Sequence, residues 1–244
     1  MQLRLPFAAA FLLLLAGTLV AGTKPVPKNA TVVDEGTFAI FQNGARIATE
    51  EFTVYQYPDH NTTSCRLHGE GTQRFEQSSE LTLRPDGTLS RYEWKELAPA
   101  RSSSIVEPGD QVLVLHSTGE DGKPIKDQSF FLTPDTFILD DYFFATREVL
   151  LWRYLTSACQ PRPNGSGCDL ARRRFPVLVP RQRLSSSVFI EFKGEEELPI
   201  NGRPEHLRHF VIQTEGPEWH LWLNDTHKLL RISIPSERTE ILRQ

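Results

Sequence analysis

Clustered positive charge is scarce in this sequence, and its scarcity excludes one class of partner. The 244 residues include 27 Lys and Arg against 31 Asp and Glu, a formal net charge of −4. Nucleic-acid phosphates require gathered basic side chains. The one sharp basic run is the three arginines at 172–174, and it is opposed by three glutamates at 195–197. Both runs are typical of solvated loops or strand ends, so we expect no nucleic-acid partner.

Long apolar runs are equally scarce, and only the stretch from Leu5 to Ala21 qualifies. Arg4 precedes this stretch and Gly22 follows it, which is the three-part pattern of a secretory signal peptide. A permanent anchor is the weaker alternative, because a spanning helix needs about 20 apolar residues and no stop-transfer charges follow. We predict cleavage near Ala21, a flexible leader over residues 22–35, and a secreted or periplasmic protein without a transmembrane anchor.

Cysteine is rare, with three residues in the chain. Cys159 and Cys168 flank a short segment that contains two prolines and two glycines. In an oxidising compartment, such a close pair around a flexible segment predicts a disulfide. Cys65 is then left over, and we interpret it as a buried or half-buried free thiol.

Catalytic and metal-binding motifs are missing as well. Ser166 is flanked by glycine on both sides, but the Gly-x-Ser-x-Gly spacing of a hydrolase nucleophile is absent, so a flexible linker is the favoured interpretation. His206 and His209 are three residues apart and fall on opposite faces of a strand, whereas His220 is placed to face His209 across a hairpin. We therefore predict no catalytic residue, no metal and no cofactor.

Alternation of apolar and polar residues, broken by turn residues, dominates the chain from residue 36 onward. Asn43-Gly44 tolerates the positive φ angles of a tight hairpin, and residues 85–87 (Pro-Asp-Gly) predict a second hairpin. Short strands at this spacing continue almost to the end of the chain. We predict one mainly β domain over residues 36–244, built as a curved antiparallel sheet or an open half-barrel.

One segment breaks this rhythm, because residues 142–158 contain neither Gly nor Pro. At 100° per residue the apolar side chains fall within one broad arc, and Asp140 and Asp141 stand where an N-cap belongs. The apolar face is too wide for a surface helix. We therefore expect a helix over 142–158 that lies across the concave face of the sheet.

Two charged residues, Arg147 and Glu148, lie near the edge of the apolar arc. If both point inward, they pair with each other or meet a polar group of a ligand. In the alternative that we favour, the first helical turn projects past the sheet into water. The aromatic residues leave a similar choice between plain core and the lining of a pocket.

A resemblance to a known family rests on three features: the opening hairpin at 36–44, the mid-chain helix, and a closing hairpin at 222–232. Together they resemble the lipoprotein-carrier (LolA/LolB-like) half-barrels of bacterial envelopes, or a related set of secreted bacterial β proteins. The carriers hold acyl chains between sheet and helix. The resemblance therefore implies a similar hollow here.

We expect a non-enzymatic, extracytoplasmic binding module for an apolar or acyl ligand such as a lipid. One alternative is a structural or partner-binding envelope protein with a filled core, in which sheet edges or the loop at 160–183 recruit an envelope protein. An uncharacterised hydrolase is the weakest alternative. The candidate ligand-binding residues are Phe144, Glu148, Leu151, Trp152, Leu155 and Trp222.

Overall fold

The computed structural model describes residues 26–71, 74–133, 135–140, 142–159, 161–162, 165–200 and 202–244. The predicted signal peptide and Asp141 lie outside these residues. Within them, no helix combines the length and apolar character that crossing a membrane requires.

The described residues form seventeen strands, one α-helix and a short 3-10 helix. The N-terminal strands are β1 (Thr31–Gln42), β2 (Ala45–Gln56), β3 (Asn61–Gly69), β4 (Glu76–Leu83), β5 (Leu89–Ala98), β6 (Ser103–Pro108), β7 (Leu113–Thr118), β8 (Pro124–Phe130) and β9 (Phe137–Ile138). The helix α1 (Ala145–Ala158) follows, then β10 (Pro161–Arg162) and β11 (Gly165–Ser166). The remaining elements are β12 (Arg173–Val179), β13 (Leu184–Ile200), β14 (Arg203–Gln213), β15 (Glu218–Leu223), β16 (Leu229–Ile234), the 3-10 helix (Pro235–Glu237) and β17 (Thr239–Arg243).

Fifteen of these strands form one sheet in the order β8-β7-β6-β5-β4-β3-β2-β1-β17-β16-β15-β14-β13-β12-β9. Every neighbouring pair is antiparallel except β9 with β12. β17 pairs with β1 on one side and with β16 on the other. The last strand of the chain therefore joins the N-terminal half of the sheet to the C-terminal half.

The helix covers one face of this curved sheet, and the two share a hydrophobic core. Phe38 and Tyr92 from the strands belong to the same buried cluster as Leu150, Leu151 and Tyr154 from the helix. A sheet with one apolar face must bury that face against another element, and the helix provides it. The predicted fold class, mainly β with a curved open sheet and one helix, is confirmed.

The predicted leader, residues 22–35, extends too far into the domain. β1 begins at Thr31, which pairs with Gln56, and the Asp34 side chain is buried. The β-branched residues Val32 and Val33 favour a strand, and a paired strand keeps its backbone hydrogen bonds satisfied. The leader boundary at 35 is therefore wrong.

The helix begins three residues later than the predicted 142 and has a different cap. Its N-cap residue is Phe144, whose side chain makes no capping hydrogen bond. Asp140 does not cap the helix either, because its carboxylate accepts a hydrogen bond from Tyr92 and pairs with Arg181. The end of the helix at Ala158 is as predicted.

The cysteines are arranged as predicted. Cys159 and Cys168 form a disulfide with a Cα–Cα distance of 4.0 Å, and Cys65 is free and buried. Cys159 is the C-cap residue of α1. The disulfide therefore fixes the segment after the helix to the helix end.

Candidate functional site

A cavity of about 580 Å³ lies between the N-terminal end of α1 and the sheet. Strands β1, β2 and β12 to β17 contribute to its wall. The wall is mainly apolar and includes Ile40, Val177, Val188, Ile212, Trp219 and Ile234. The volume falls within the range of about 300–1,000 Å³ that is usual for small-molecule sites.

Strand alternation directs these side chains into the cavity. On β13, Leu184, Ser186 and Val188 all line it, because residues two apart on a strand share one face. Val177 pairs with Ser186 in the neighbouring strand and also lines the cavity. Ser185, between two of these residues, is exposed.

The helix contributes Phe144 and Arg147 to the cavity. Arg147 is buried, and its Cζ lies 4.5 Å from the ring centroid of Trp219. Its Nη1 donates hydrogen bonds to the carbonyl oxygens of Asp140 and Phe143. The guanidinium is thus held in a fixed orientation on the cavity wall.

The helix N-terminus is capped by Glu50 of β2. Its two carboxylate oxygens accept hydrogen bonds from the backbone N–H groups of Phe144 (2.7 Å) and Ala145 (3.2 Å). Burial raises the pKa of Glu50 to about 7, although these hydrogen bonds and the charge of Arg147 oppose the shift. Burial, followed by the charge of Glu50, also raises the pKa of the Cys65 thiol.

A second buried charge cluster lies around Glu148. One of its oxygens accepts the backbone N–H of Leu229 at 2.7 Å and lies 3.6 Å from Nη1 of Arg243. Arg243 in turn donates to both carboxylate oxygens of Asp34, at 2.7 and 2.8 Å. Burial and the nearby Asp34 raise the pKa of Glu148. This cluster connects β1, β17 and the helix.

The favoured interpretation of the first helical turn is therefore wrong. Arg147 and Glu148 are 4% and 0% exposed, so this turn does not project into water. The two side chains point to different places: Arg147 lines the cavity, whereas Glu148 forms an ion pair with Arg243. The turn is buried because it packs against the strands that supply Glu50 and Arg243.

The structure separates the six candidate ligand-binding residues. Phe144 lines the cavity. Leu151 and Leu155 lie in the packed core between helix and sheet, and the Trp152 indole donates to the carbonyl of His227 at 2.7 Å. Glu148 belongs to the cluster described above. Of the six, Phe144 alone contributes to the cavity.

The sixth candidate, Trp222, lies on the other face of the sheet. It alternates with the core residues Leu221 and Leu223, and its ring stacks on His209 with centroids 4.7 Å apart. Its indole N–H donates to Glu196 at 2.6 Å. These contacts hold it away from the helix.

The histidine pair across the hairpin is as predicted. Nε2 of His209 lies 3.0 Å from Nδ1 of His220, and burial lowers the pKa of His209. Within the described residues, no group of three or more His, Cys, Asp or Glu side chains is placed to hold a metal ion. The described partners of Glu148 include no histidine.

Sequence reasoning missed Ser186 and Glu50, and it left Trp219, with the other aromatic residues, undecided between plain core and pocket lining. Strand alternation placed Trp219 and Ser186 on a face, but no local signal indicated which face meets the helix end. Glu50 lies 94 residues before the amide that it caps. The available signal for Glu50 was its position between Ala48 and Phe52, two apolar residues that share its face of the strand.

Comparison with solved structures identifies a similar fold. The chain is similar to the crystal structure of a beta-barrel-like protein of a domain of unknown function, DUF1849, from Brucella abortus. The TM-score is 0.53 at 6% sequence identity, over 86% of this chain and 94% of that one. No family model and no curated protein matches the sequence. At this identity the likeness shows the fold alone, a beta-barrel-like architecture.

Proposed function

We propose that this protein is a non-enzymatic, extracytoplasmic binding module that holds an apolar ligand in the cavity at the N-terminal end of α1. The observation that carries the proposal is the largely apolar wall of a space of about 580 Å³ between helix and sheet. Burial of apolar ligand surface there contributes about 25 cal/mol per Å² before the costs of association. The hollow implied by the carrier resemblance supports the same function.

The disulfide supports the extracytoplasmic part of the proposal. Disulfides persist mainly in oxidising compartments, and the pair Cys159–Cys168 is formed. The predicted signal peptide, in residues outside the described ranges, would deliver the chain to such a compartment.

Binding of the neutral apolar dye Nile red tests the proposal. We expect wild-type protein to bind about one equivalent and Ser186→Phe to bind at least about tenfold more weakly, because the new ring occupies the cavity. Ser185→Phe is the matched control, since it adds the same ring on the exposed face of the same strand. Urea unfolding of both variants verifies that they are folded.

Two results would contradict the proposal. The first is wild-type protein that neither binds the dye nor carries a co-purified lipid in native mass spectrometry. The second is a folded Ser186→Phe variant with unchanged dye binding. The first result would favour the alternative of a partner-binding envelope protein, because a protein that acts through its edges or loops has no need of the cavity.

A further inference from the structure

Polar side chains form a continuous chain across the outer face of the hairpin that β14 and β15 make. Nε2 of His209 on β14 lies 3.0 Å from Nδ1 of His220 on β15, and the two rings meet edge to edge, with centroids 5.2 Å apart. Nδ1 of His209 lies 3.2 Å from Oε1 of Glu196. Nε2 of His220 lies 3.2 Å from Oε1 of Glu218. The two imidazoles therefore connect the two strands, between two carboxylates.

The inner face of the same hairpin belongs to the wall of the cavity. Ile212 pairs with Trp219 across the hairpin and both line the cavity, as do the turn residues 214–217. His220 follows Trp219 directly on β15, and strand alternation turns it to the opposite face. The contact between His209 and His220 thus lies behind part of the cavity wall.

This contact depends on how many protons the histidine pair carries. A neutral imidazole has one donor and one acceptor nitrogen, whereas a charged imidazole has two donors. A pair with at least one neutral ring can place a donor opposite an acceptor across the 3.0 Å contact. When both rings are charged, all four nitrogens are donors and the contact has no acceptor. The contact then breaks, and repulsion between the two charges separates the rings.

Three strands supply the charged groups described around the histidine pair. They are Glu196 and Lys193 on β13, Glu218 on β15, and Arg231 on β16, which lies over the Trp222 ring that stacks on His209. The carboxylates favour charged rings, whereas the cations and burial oppose them. Burial has the largest effect on His209 and lowers its pKa, so the closed hairpin takes up a proton less readily than the opened one. Acid therefore shifts the balance toward the opened hairpin.

We propose that the contact between His209 and His220 is an acid-sensitive switch for the cavity. At neutral pH the contact holds β14 and β15 together. In mild acid its loss loosens the hairpin and speeds release of the ligand. The effect on the ligand rests on the proposed function and adds a regulation of the same site, whereas the effect on the hairpin is independent of any ligand.

Hydrogen–deuterium exchange of the β14 and β15 amides tests the switch at about pH 7.5 and about pH 5, on either side of the ordinary histidine pKa. After correction for the intrinsic effect of pH on exchange, we expect protection in the wild type to fall about tenfold in acid. This fall should disappear in His220→Gln, whose new side chain does not titrate. His68→Gln is the matched control and should keep the fall, since it removes a histidine from β3, outside the hairpin.

Release of Nile red from the same three proteins tests the effect on the cavity. We expect the release rate of the wild type and of His68→Gln to rise at least about threefold between the two pH values, relative to that of His220→Gln. The comparison removes the contribution of Glu50, which all three proteins share.

Unchanged protection in the wild type, or an equal fall in His220→Gln, would overturn the switch. A fall in protection without faster dye release would overturn its effect on the cavity and leave the proposed function intact. A wild type that binds no Nile red at either pH would overturn the proposed function, and the exchange experiment would still decide the effect on the hairpin. If His220→Gln does not fold, His209→Gln removes the same contact and takes its place.

Discussion

At the scale of single residues, buried carboxylates connect parts of the chain that are distant in sequence. Glu50 caps a helix from a neighbouring strand, and Asp34 binds Arg243 across 209 residues of sequence. Removing one partner of a buried ion pair typically costs about 3–5 kcal/mol, because the other charge stays buried. These residues therefore act on stability far more than exposed charges do.

Glu50 predicts a particular dependence of stability on pH. Its pKa is about 7 in the folded protein against the ordinary 4.5, so between these values the folded state binds a proton that the unfolded state has released. The free energy of unfolding should therefore fall as pH rises through this window. We expect Glu50→Gln to remove up to about 3 kcal/mol of this fall, measured by urea unfolding at a series of pH values.

Glu80→Gln is the control for this experiment, since it removes an exposed carboxylate from another strand of the same sheet. Its profile should follow that of the wild type. Burial also raises the pKa of Glu148, so the wild type and both variants share that contribution, and the difference between profiles isolates Glu50. A Glu50→Gln profile as steep as the wild-type one would contradict the assignment.

At the scale of elements, β17 connects the two halves of the sheet. It is five residues long, yet both of its edges are paired in the middle of the sheet. Its residues Ile241 and Arg243 are buried. The strand therefore links two long meanders that have no other direct pairing in the described part of the sheet.

Deletion of residues 239–244 should abolish cooperative folding, because β1 and β16 each lose one of their two neighbouring strands and two buried carboxylates lose their partner Arg243. Near-UV circular dichroism and urea unfolding measure the effect. Deletion of Gln244 alone is the control and should leave the unfolding midpoint close to that of the wild type, since it removes one backbone hydrogen bond to Thr37. A cooperative transition in the longer deletion would refute this view of β17.

Local sequence signals predicted several elements well. Asn43-Gly44 forms the turn between β1 and β2 with positive φ at both residues, as a tight hairpin requires. Gly87, with a φ of 82°, likewise lies in the turn between β4 and β5. The first turn of the helix was less predictable. Its cap is Glu50 from strand β2, whereas the local sequence indicated Asp140 or Asp141.

At the scale of the whole molecule, the three cysteines show one covalent link and one buried thiol. The disulfide closes a short loop at the helix end, and the chain-entropy model gives such a loop about 2–3 kcal/mol of stabilisation. Cys65 is 4% exposed. Burial raises the pKa of its thiol, which keeps the thiolate scarce.

Titration with a thiol reagent should therefore give three distinct counts. We expect no reactive thiol in the native protein, one after denaturation without reductant, and three after denaturation with reductant, in agreement with the three cysteines of the chain. Cys65→Ser should lower the second count to zero. Three reactive thiols without reductant would contradict the disulfide.

The sequence by itself determined the features that depend on neighbours along the chain: alternating strands, turns at Asn-Gly and Asp-Gly, one helix free of Gly and Pro, and the close cysteine pair. The tertiary structure alone decided which helix end borders a cavity, which carboxylate caps the helix, and where Arg147 points. These features depend on contacts between residues tens to hundreds of positions apart. Periodicity assigns a side chain to a face, but the curvature and order of the strands determine what that face meets.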